Sequence, residues 1–118
     1  MKLKGFTIAV TDVAAMVRFY NAVFGANLQP VEAFGTLLYR GELAGYALTF
    51  CPNSLLGIKA EKNRQQLSFT VADLAATVHQ VMENGGRQLQ EIVETKEGKM
   101  CGVADPDGNS IELTEEPL

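Results

Sequence analysis

The chain contains an internal repeat. Residues 6–28 (FTIAVTDVAAMVRFYNAVFGANL) resemble residues 67–89 (LSFTVADLAATVHQVMENGGRQL), with Asp12 matching Asp73 and Gly25 matching Gly86. A second block, residues 45–50, recurs at residues 108–113, with two additional residues between the matched blocks. A repeat of this length predicts two copies of one supersecondary unit, so it constrains the architecture before any side-chain chemistry is considered.

Each copy predicts a strand, a helix and then three strands. Alternating apolar residues predict strands over 4–11 and 66–72. Each strand ends at an aspartate, Asp12 or Asp73, that can cap the helix after it, and Gly25 and Gly85–Gly86 are expected to end these helices. The predicted helices cover 13–24 and 74–84, and the remaining predicted strands cover 27–33, 36–41 and 45–51 in the first copy and 87–94, 99–104 and 109–114 in the second.

The predicted fold class is α+β. Two βαβββ modules, at about residues 1–58 and 65–118, are expected to form one domain over residues 1–118. Residues 59–64 are predicted to be a polar connector between the modules. The helices must bury their apolar stripes, so we expect them on the outside of the sheets.

Composition excludes two classes of partner. The net charge of −4 lacks the basic surface that nucleic-acid binding requires. No apolar run is long enough to span a bilayer, so no membrane association is predicted. Cys51 and Cys101 have no metal-binding or redox spacing and are interpreted as buried, reduced thiols, which predicts a cytoplasmic protein.

One side of the predicted sheets carries small or polar side chains. Alternate residues of a strand point to opposite sides of the sheet. In four of the predicted strands one set of alternate residues is bulky and apolar, and the other set is small or polar. On a flat sheet this polar side is a solvent face, whereas on a curved sheet it lines a ligand cleft, and periodicity leaves both alternatives open. The predicted ligand-binding residues on this side are Thr7, Thr49, Gln66, Ser68, Ser110 and Glu112, with Cys51 nearby.

Two segments resemble a known family. The stretch Arg18-Phe-Tyr-Asn-Ala-Val-Phe-Gly25 follows a strand and an aspartate, and Asp105-Pro-Asp-Gly-Asn-Ser-Ile-Glu-Leu113 forms a closing hairpin motif. Both are similar to motifs of the vicinal-oxygen-chelate superfamily, which includes glyoxalases, dioxygenases and bleomycin-resistance proteins. The resemblance covers nearly the whole chain. It implies a curved, eight-stranded, barrel-like open trough built by two modules, and a homodimer.

The resemblance also identifies positions for metal ligands. Metal-dependent members place them on the first and last strand of each module, which correspond here to Gly5, Thr49, Gln66 and Glu112. Of these only Glu112 is a good ligand for a divalent metal, whereas a catalytic site needs about three. We therefore predict no cofactor; these residues disfavour a divalent metal without ruling it out. The single histidine, His79, lies in the second predicted helix and is interpreted as an exposed helix residue.

The preferred interpretation is a protein that binds a small organic molecule in the trough without a transition metal. The acidic net charge favours a cationic ligand, with Glu112 as a possible anchor. The alternative is a metal-dependent lyase, isomerase or dioxygenase with displaced ligands, and enzymatic activity is left open. A metal-free enzyme would have Glu112 as its weak catalytic candidate. An interaction module without a ligand is the remaining alternative.

Overall fold

The computed structural model describes residues 1–33, 35–56 and 65–117. It divides into two compact units, Met1–Lys59 and Ala60–Leu118, which we call the first and second modules. The described residues form nine strands in two mixed sheets, together with three helices, so the α+β prediction is confirmed. The connector predicted at residues 59–64 lies outside the described residues.

The first module contains one four-stranded sheet in the order β1-β4-β3-β2. Strands β1 and β4 are parallel, and the other two pairs are antiparallel. The short helix α2 was not predicted; Asn53, its first residue, donates a side-chain hydrogen bond to Thr11 Oγ1 at 2.8 Å. The elements are β1 (Gly5–Val10), α1 (Val13–Phe24), β2 (Gln29–Ala33), β3 (Thr36–Leu43), β4 (Tyr46–Pro52) and α2 (Asn53–Leu56).

The second module repeats this order, with one strand divided. Its sheet has the order β5-β9-β8-β6, and β7 also pairs with β8. Strands β5 and β9 are parallel, as β1 and β4 are in the first module. The elements are β5 (Leu67–Thr70), α3 (Leu74–Glu83), β6 (Arg87–Gln88), β7 (Val93–Thr95), β8 (Gly98–Ala104) and β9 (Ser110–Glu115).

The prediction of one strand over residues 87–94 is wrong. Gln88 pairs with Val103 and Val93 pairs with Met100, so residues 89–92 face only residues 101–102. The surplus residues cannot pair and form a bulge that separates β6 from β7. Within the bulge the Gln90 carbonyl accepts a hydrogen bond from the Cys101 thiol at 3.3 Å.

Both predicted helix caps are present. The Asp12 carboxylate accepts a hydrogen bond from the Ala15 amide at 3.1 Å, and the Asp73 carboxylate accepts one from the Ala76 amide at 3.0 Å. Each cap satisfies an amide that has no carbonyl partner in the first turn. Helix α1 ends at Phe24 and is followed by the capping residue Gly25, whose φ of 61° is left-handed. Helix α3 ends at Glu83, one residue before the predicted end.

The apolar parity faces the helices. In the first module Phe19 and Tyr20 of α1 are buried together with Phe50 of β4, and the Tyr20 and Phe50 rings meet edge to face at 5.2 Å. In the second module α3 contacts β8, β6 and β9, and Ile111 and Leu113 are buried. Burying such side chains stabilises each by about 2 kcal/mol. The alternate residues of the same strands therefore form the opposite, polar side of each sheet.

None of the helices in the described ranges has both the length and the apolar character needed to cross a membrane. The predicted exposure of His79 is confirmed, because its side chain is 70% exposed on α3. Its Nε2 lies 2.9 Å from Glu83 Oε1, one turn further along the helix.

Candidate functional site

The structure brings the predicted residues of the first module together. Thr7 on β1 and Thr49 on β4 are partners in the parallel pair, and Gly5 is the partner of Ala47. Strand β3 lies on the other side of β4 and places Arg40 opposite Thr49. These residues belong to the polar side of the sheet, since Leu48 and Phe50, the alternate residues of β4, are buried.

This polar side is concave at one place. A shallow, open depression of about 520 Å³ is lined by Lys4, Gly5, Phe6, Thr7, Arg40, Ala47 and Thr49. We call it the first-module depression. Its volume is within the range of small-molecule sites, although it is more open than an enclosed pocket. Its lining therefore combines two threonines, two basic residues, one aromatic residue and two small residues, Gly5 and Ala47.

The structure also groups the predicted residues of the second module. Gln66 Nε2 donates a hydrogen bond to Ser110 Oγ at 3.1 Å. Ser68 and Glu112 are partners in the parallel pair of β5 and β9. The half-buried Glu112 carboxylate has no hydrogen-bond or ion-pair partner among residues 1–33, 35–56 and 65–117. It is consequently available to a ligand or a bound cation.

Both cysteines are free and buried, as predicted. Burial raises the pKa of the Cys51 thiol. Burial also raises the pKa of the Cys101 thiol, a smaller opposing effect comes from its hydrogen bond with Gln88, and the nearby Glu91 charge raises it further. A raised thiol pKa lowers the thiolate fraction at neutral pH, so neither cysteine has the properties of a nucleophile.

The four positions at which the resemblance implies metal ligands do not fit a transition metal. Glu112 offers a carboxylate, but Thr49 and Gln66 offer a hydroxyl and an amide, which are weak ligands for zinc, nickel or iron. Gly5 is closed to any side chain: a Cβ atom there would clash with the Ala47 carbonyl and lie 2.8 Å from Ala47 Cβ. The described residues contain no cluster of three or more His, Cys, Asp or Glu side chains that could hold a metal.

Lys4 and Arg40 line the first-module depression and are not among the residues that the sequence analysis predicted for the site. A signal for Arg40 was present, because Ala44-Gly45 forms a two-residue turn in which both φ angles are positive, 50° and 87°. A two-residue hairpin turn sets the register of the strands it joins. Leu43 consequently pairs with Tyr46, and the same register places Arg40 opposite Thr49.

The hairpin before β9 carries the second motif of the resemblance. The Asp105 side chain is buried, and its carboxylate accepts hydrogen bonds from the Asp107 amide at 3.0 Å and from the Asn109 amide at 2.9 Å. A third hydrogen bond, from Asn109 Nδ2, measures 2.8 Å. Asp105 therefore holds the turn that positions β9 and its Glu112.

A family model described as glyoxalase-like domain matches residues 5–114, which include both modules. The chain belongs to the glyoxalase-like domain family. A glyoxylase-like domain-containing protein from Didymella fabae is 28% identical over 102 residues, which cover 78% of this chain and 74% of that protein.

Solved structures share the fold of this glyoxalase-like protein. A glyoxalase/bleomycin resistance protein/dioxygenase family enzyme from Burkholderia phytofirmans has a TM-score of 0.78 at 19% identity, covering 99% of this chain and 100% of that one. An antibiotic binding protein from Streptomyces has a TM-score of 0.71 at 20% identity, covering 99% of this chain and 97% of that one. At these identities the likeness establishes the fold and leaves the activity to the residues of the site.

Proposed function

We propose that this glyoxalase-like protein binds a small organic molecule on the polar side of its sheets, without a transition metal at the four positions named above. The first-module depression carries the proposal. The small residues Gly5 and Ala47 leave room for a ligand. Thr7, Thr49 and Arg40 supply hydrogen-bond donors that can orient it. The antibiotic binding protein from Streptomyces, which shares the fold, makes the same kind of function reasonable for this chain.

A ligand panel tests the proposal. Bleomycin, fosfomycin, catechol and the methylglyoxal–glutathione adduct are added separately, and the melting temperature is recorded. A ligand at about one hundred times its Kd stabilises a protein by about 2.7 kcal/mol, which is easily measured as a shift. We expect at least one member of the panel to stabilise the wild-type chain without being converted to product.

A pair of tryptophan variants locates the binding. Thr7→Trp adds a large side chain to the first-module depression, and Ala22→Trp adds the same side chain to an exposed position on α1. We expect the first to abolish the ligand-dependent shift and the second to preserve it. Equal shifts in both variants would place binding elsewhere, and no shift with any ligand would remove the support for a binding function.

Metal content tests the second half of the proposal. Tag-free protein is incubated with Ni²⁺, Mn²⁺, Fe²⁺ or Zn²⁺, desalted and subjected to elemental analysis. We expect far less than one metal per chain, because Gly5 has no room for a ligand side chain and Thr49 and Gln66 are weak ligands. One tightly held metal per chain, lost in Glu112→Ala, would instead favour a metal-dependent lyase, isomerase or dioxygenase.

The proposal includes a cytoplasmic homodimer. Two free, buried thiols suit a reducing compartment. Exposed apolar side chains of Leu89, Ile92 and Val93 around the bulge of the second module are available for a subunit contact. Light scattering after gel filtration gives the mass directly. The mass of one 12.8 kDa chain at micromolar concentration would contradict the homodimer while leaving ligand binding intact.

A further inference from the structure

The charged residues of the first-module depression are all basic. Among the described residues, its lining includes Lys4 and Arg40 and no acidic residue. This local charge is opposite to the net charge of −4 of the whole chain. A ligand responds to the charges that surround it more than to the net charge of the protein, because interactions beyond about 10 Å are screened by salt.

Neither cation is neutralised within the described part of the chain. Lys4 and Arg40 have no ion-pair or side-chain hydrogen-bond partner there, whereas Lys99 lies 4.0 Å from a Glu115 carboxylate oxygen. The acid beside Arg40 on the same side of β3 is Glu42, two residues further along and opposite Ala47. Glu42 is exposed and does not line the depression.

Arg40 is held at a defined place. It lies on β3, an inner strand of the sheet, with Gln29 on β2 as its partner on one side and Thr49 on β4 as its partner on the other. The backbone of an inner strand is fixed by hydrogen bonds on both sides, so the base of the arginine side chain is well positioned. The Thr7 and Thr49 hydroxyl groups line the same depression.

We infer that the first-module depression is a subsite for an oxyanion, namely a carboxylate, phosphate or phosphonate group of the bound molecule. The planar guanidinium of Arg40 can donate two parallel hydrogen bonds to such a group. Lys4 adds a second positive charge, and the two threonine hydroxyls are further donors. The inference rests on the proposed function and adds to it the charge class of the ligand.

The subsite also accounts for the unsuitable metal positions of the first module. Gly5 and Thr49 correspond to family positions for metal ligands, and both line the same depression as Lys4 and Arg40. A metal ion would attract an anionic oxygen of the ligand by its positive charge. In this chain Lys4 and Arg40 provide positive charge at the same depression and require no ligand at Gly5.

The inference is tested by titrating the protein with simple aromatic probes at low salt. Two-dimensional ¹⁵N–¹H NMR spectra record the binding at each step. Phenylphosphonate and benzoate are the anionic probes and distinguish the two kinds of oxyanion. Benzylamine and benzyl alcohol are the cationic and neutral probes of similar size. We expect the anionic probes to shift the amide resonances of Thr7, Arg40 and Thr49, and added salt to weaken their binding.

Two arginine variants provide the matched comparison. Arg40→Gln is expected to raise the Kd of the anionic probes roughly tenfold. This is the usual effect of losing one charge-assisted hydrogen bond at a partly exposed site. Arg87→Gln removes an exposed strand arginine of the second module and is expected to leave the Kd unchanged. The dispersion of the NMR spectrum verifies that both variants are folded.

The possible results separate the inference from the proposed function. One result would overturn the oxyanion subsite and leave small-molecule binding standing. In that result, benzylamine or benzyl alcohol binds in the depression as tightly as benzoate does, and Arg40→Gln has no effect. Absence of any anion-dependent shift at Thr7 and Thr49 would also overturn the subsite. A tenfold loss confined to Arg40→Gln would establish it.

Discussion

Thr49 of the first module and Glu112 of the second occupy the same place on the central strand of their sheets. The residue across from Thr49 on the antiparallel neighbour is Arg40, whereas the residue across from Glu112 is Gly102. The first module therefore presents a cation beside a hydroxyl group, and the second presents a carboxylate beside a residue without a side chain. The same pair of positions therefore carries a positive charge on β3 in the first module and a negative charge on β9 in the second.

The helix-facing side of the two modules differs much less. Leu48 and Phe50 of β4 and Ile111 and Leu113 of β9 are all buried and apolar. These positions are constrained by close packing against α1 or α3, where a change in volume or polarity is costly. On the polar side Thr7, Arg40 and Gln66 are exposed, and Thr49 and Glu112 are only partly buried. Packing therefore preserves the framework, while the side chains on the polar side are free to differ between the two modules.

The greatest loss of stability is expected at Gly5, the first residue of β1, and it is compared with Gln66, the equivalent residue just before β5. Gly5→Ala is expected to destabilise the protein by about 3 kcal/mol, because the new Cβ atom would clash with the Ala47 backbone. Gln66→Ala, at the equivalent exposed position, is expected to cost less than about 0.5 kcal/mol. Urea unfolding of both variants measures the difference. Similar values would show that β1 can move away from β4, which would reopen Gly5 to a ligand side chain.

An intermediate effect is expected at the turns before the last strands. Asp105→Ala removes a buried carboxylate that accepts three hydrogen bonds, so we expect a loss of about 2 kcal/mol. Glu42→Ala removes an exposed carboxylate near the corresponding turn of the first module and is expected to change stability by less than about 0.5 kcal/mol. Thermal unfolding compares the two. A neutral Asp105→Ala would mean that the turn holds its shape without the carboxylate.

The smallest effect is a gain in stability at the two-residue turn of the first module. Ala44 has a φ of 50°, a left-handed conformation that asparagine adopts more readily than alanine. Ala44→Asn is expected to stabilise the protein by about 0.5 kcal/mol. Ala72→Asn introduces the same residue at an exposed position without a positive φ and is the control. A loss of stability in Ala44→Asn would contradict the turn geometry that places Arg40 opposite Thr49.

Local patterns predicted much of the fold. The period of two in β1 and β5, the apolar stripes of α1 and α3 and the caps at Asp12 and Asp73 are properties of short segments, so they are readable without tertiary structure. The divided strand was missed because a bulge depends on how residues 89–92 pair with β8. That pairing joins residues on different strands and leaves no periodic signal within either strand.

The repeat, the order of elements and the polar side of each strand can be read from the sequence, because they follow from spacing along the chain. The sequence also showed that Glu112 is the one good metal ligand at the family positions. The folded chain adds that Ala47 leaves no room for a side chain at Gly5 and that Arg40 and Lys4 share a depression with Thr49. These features depend on contacts between strands, which spacing within a single strand does not encode.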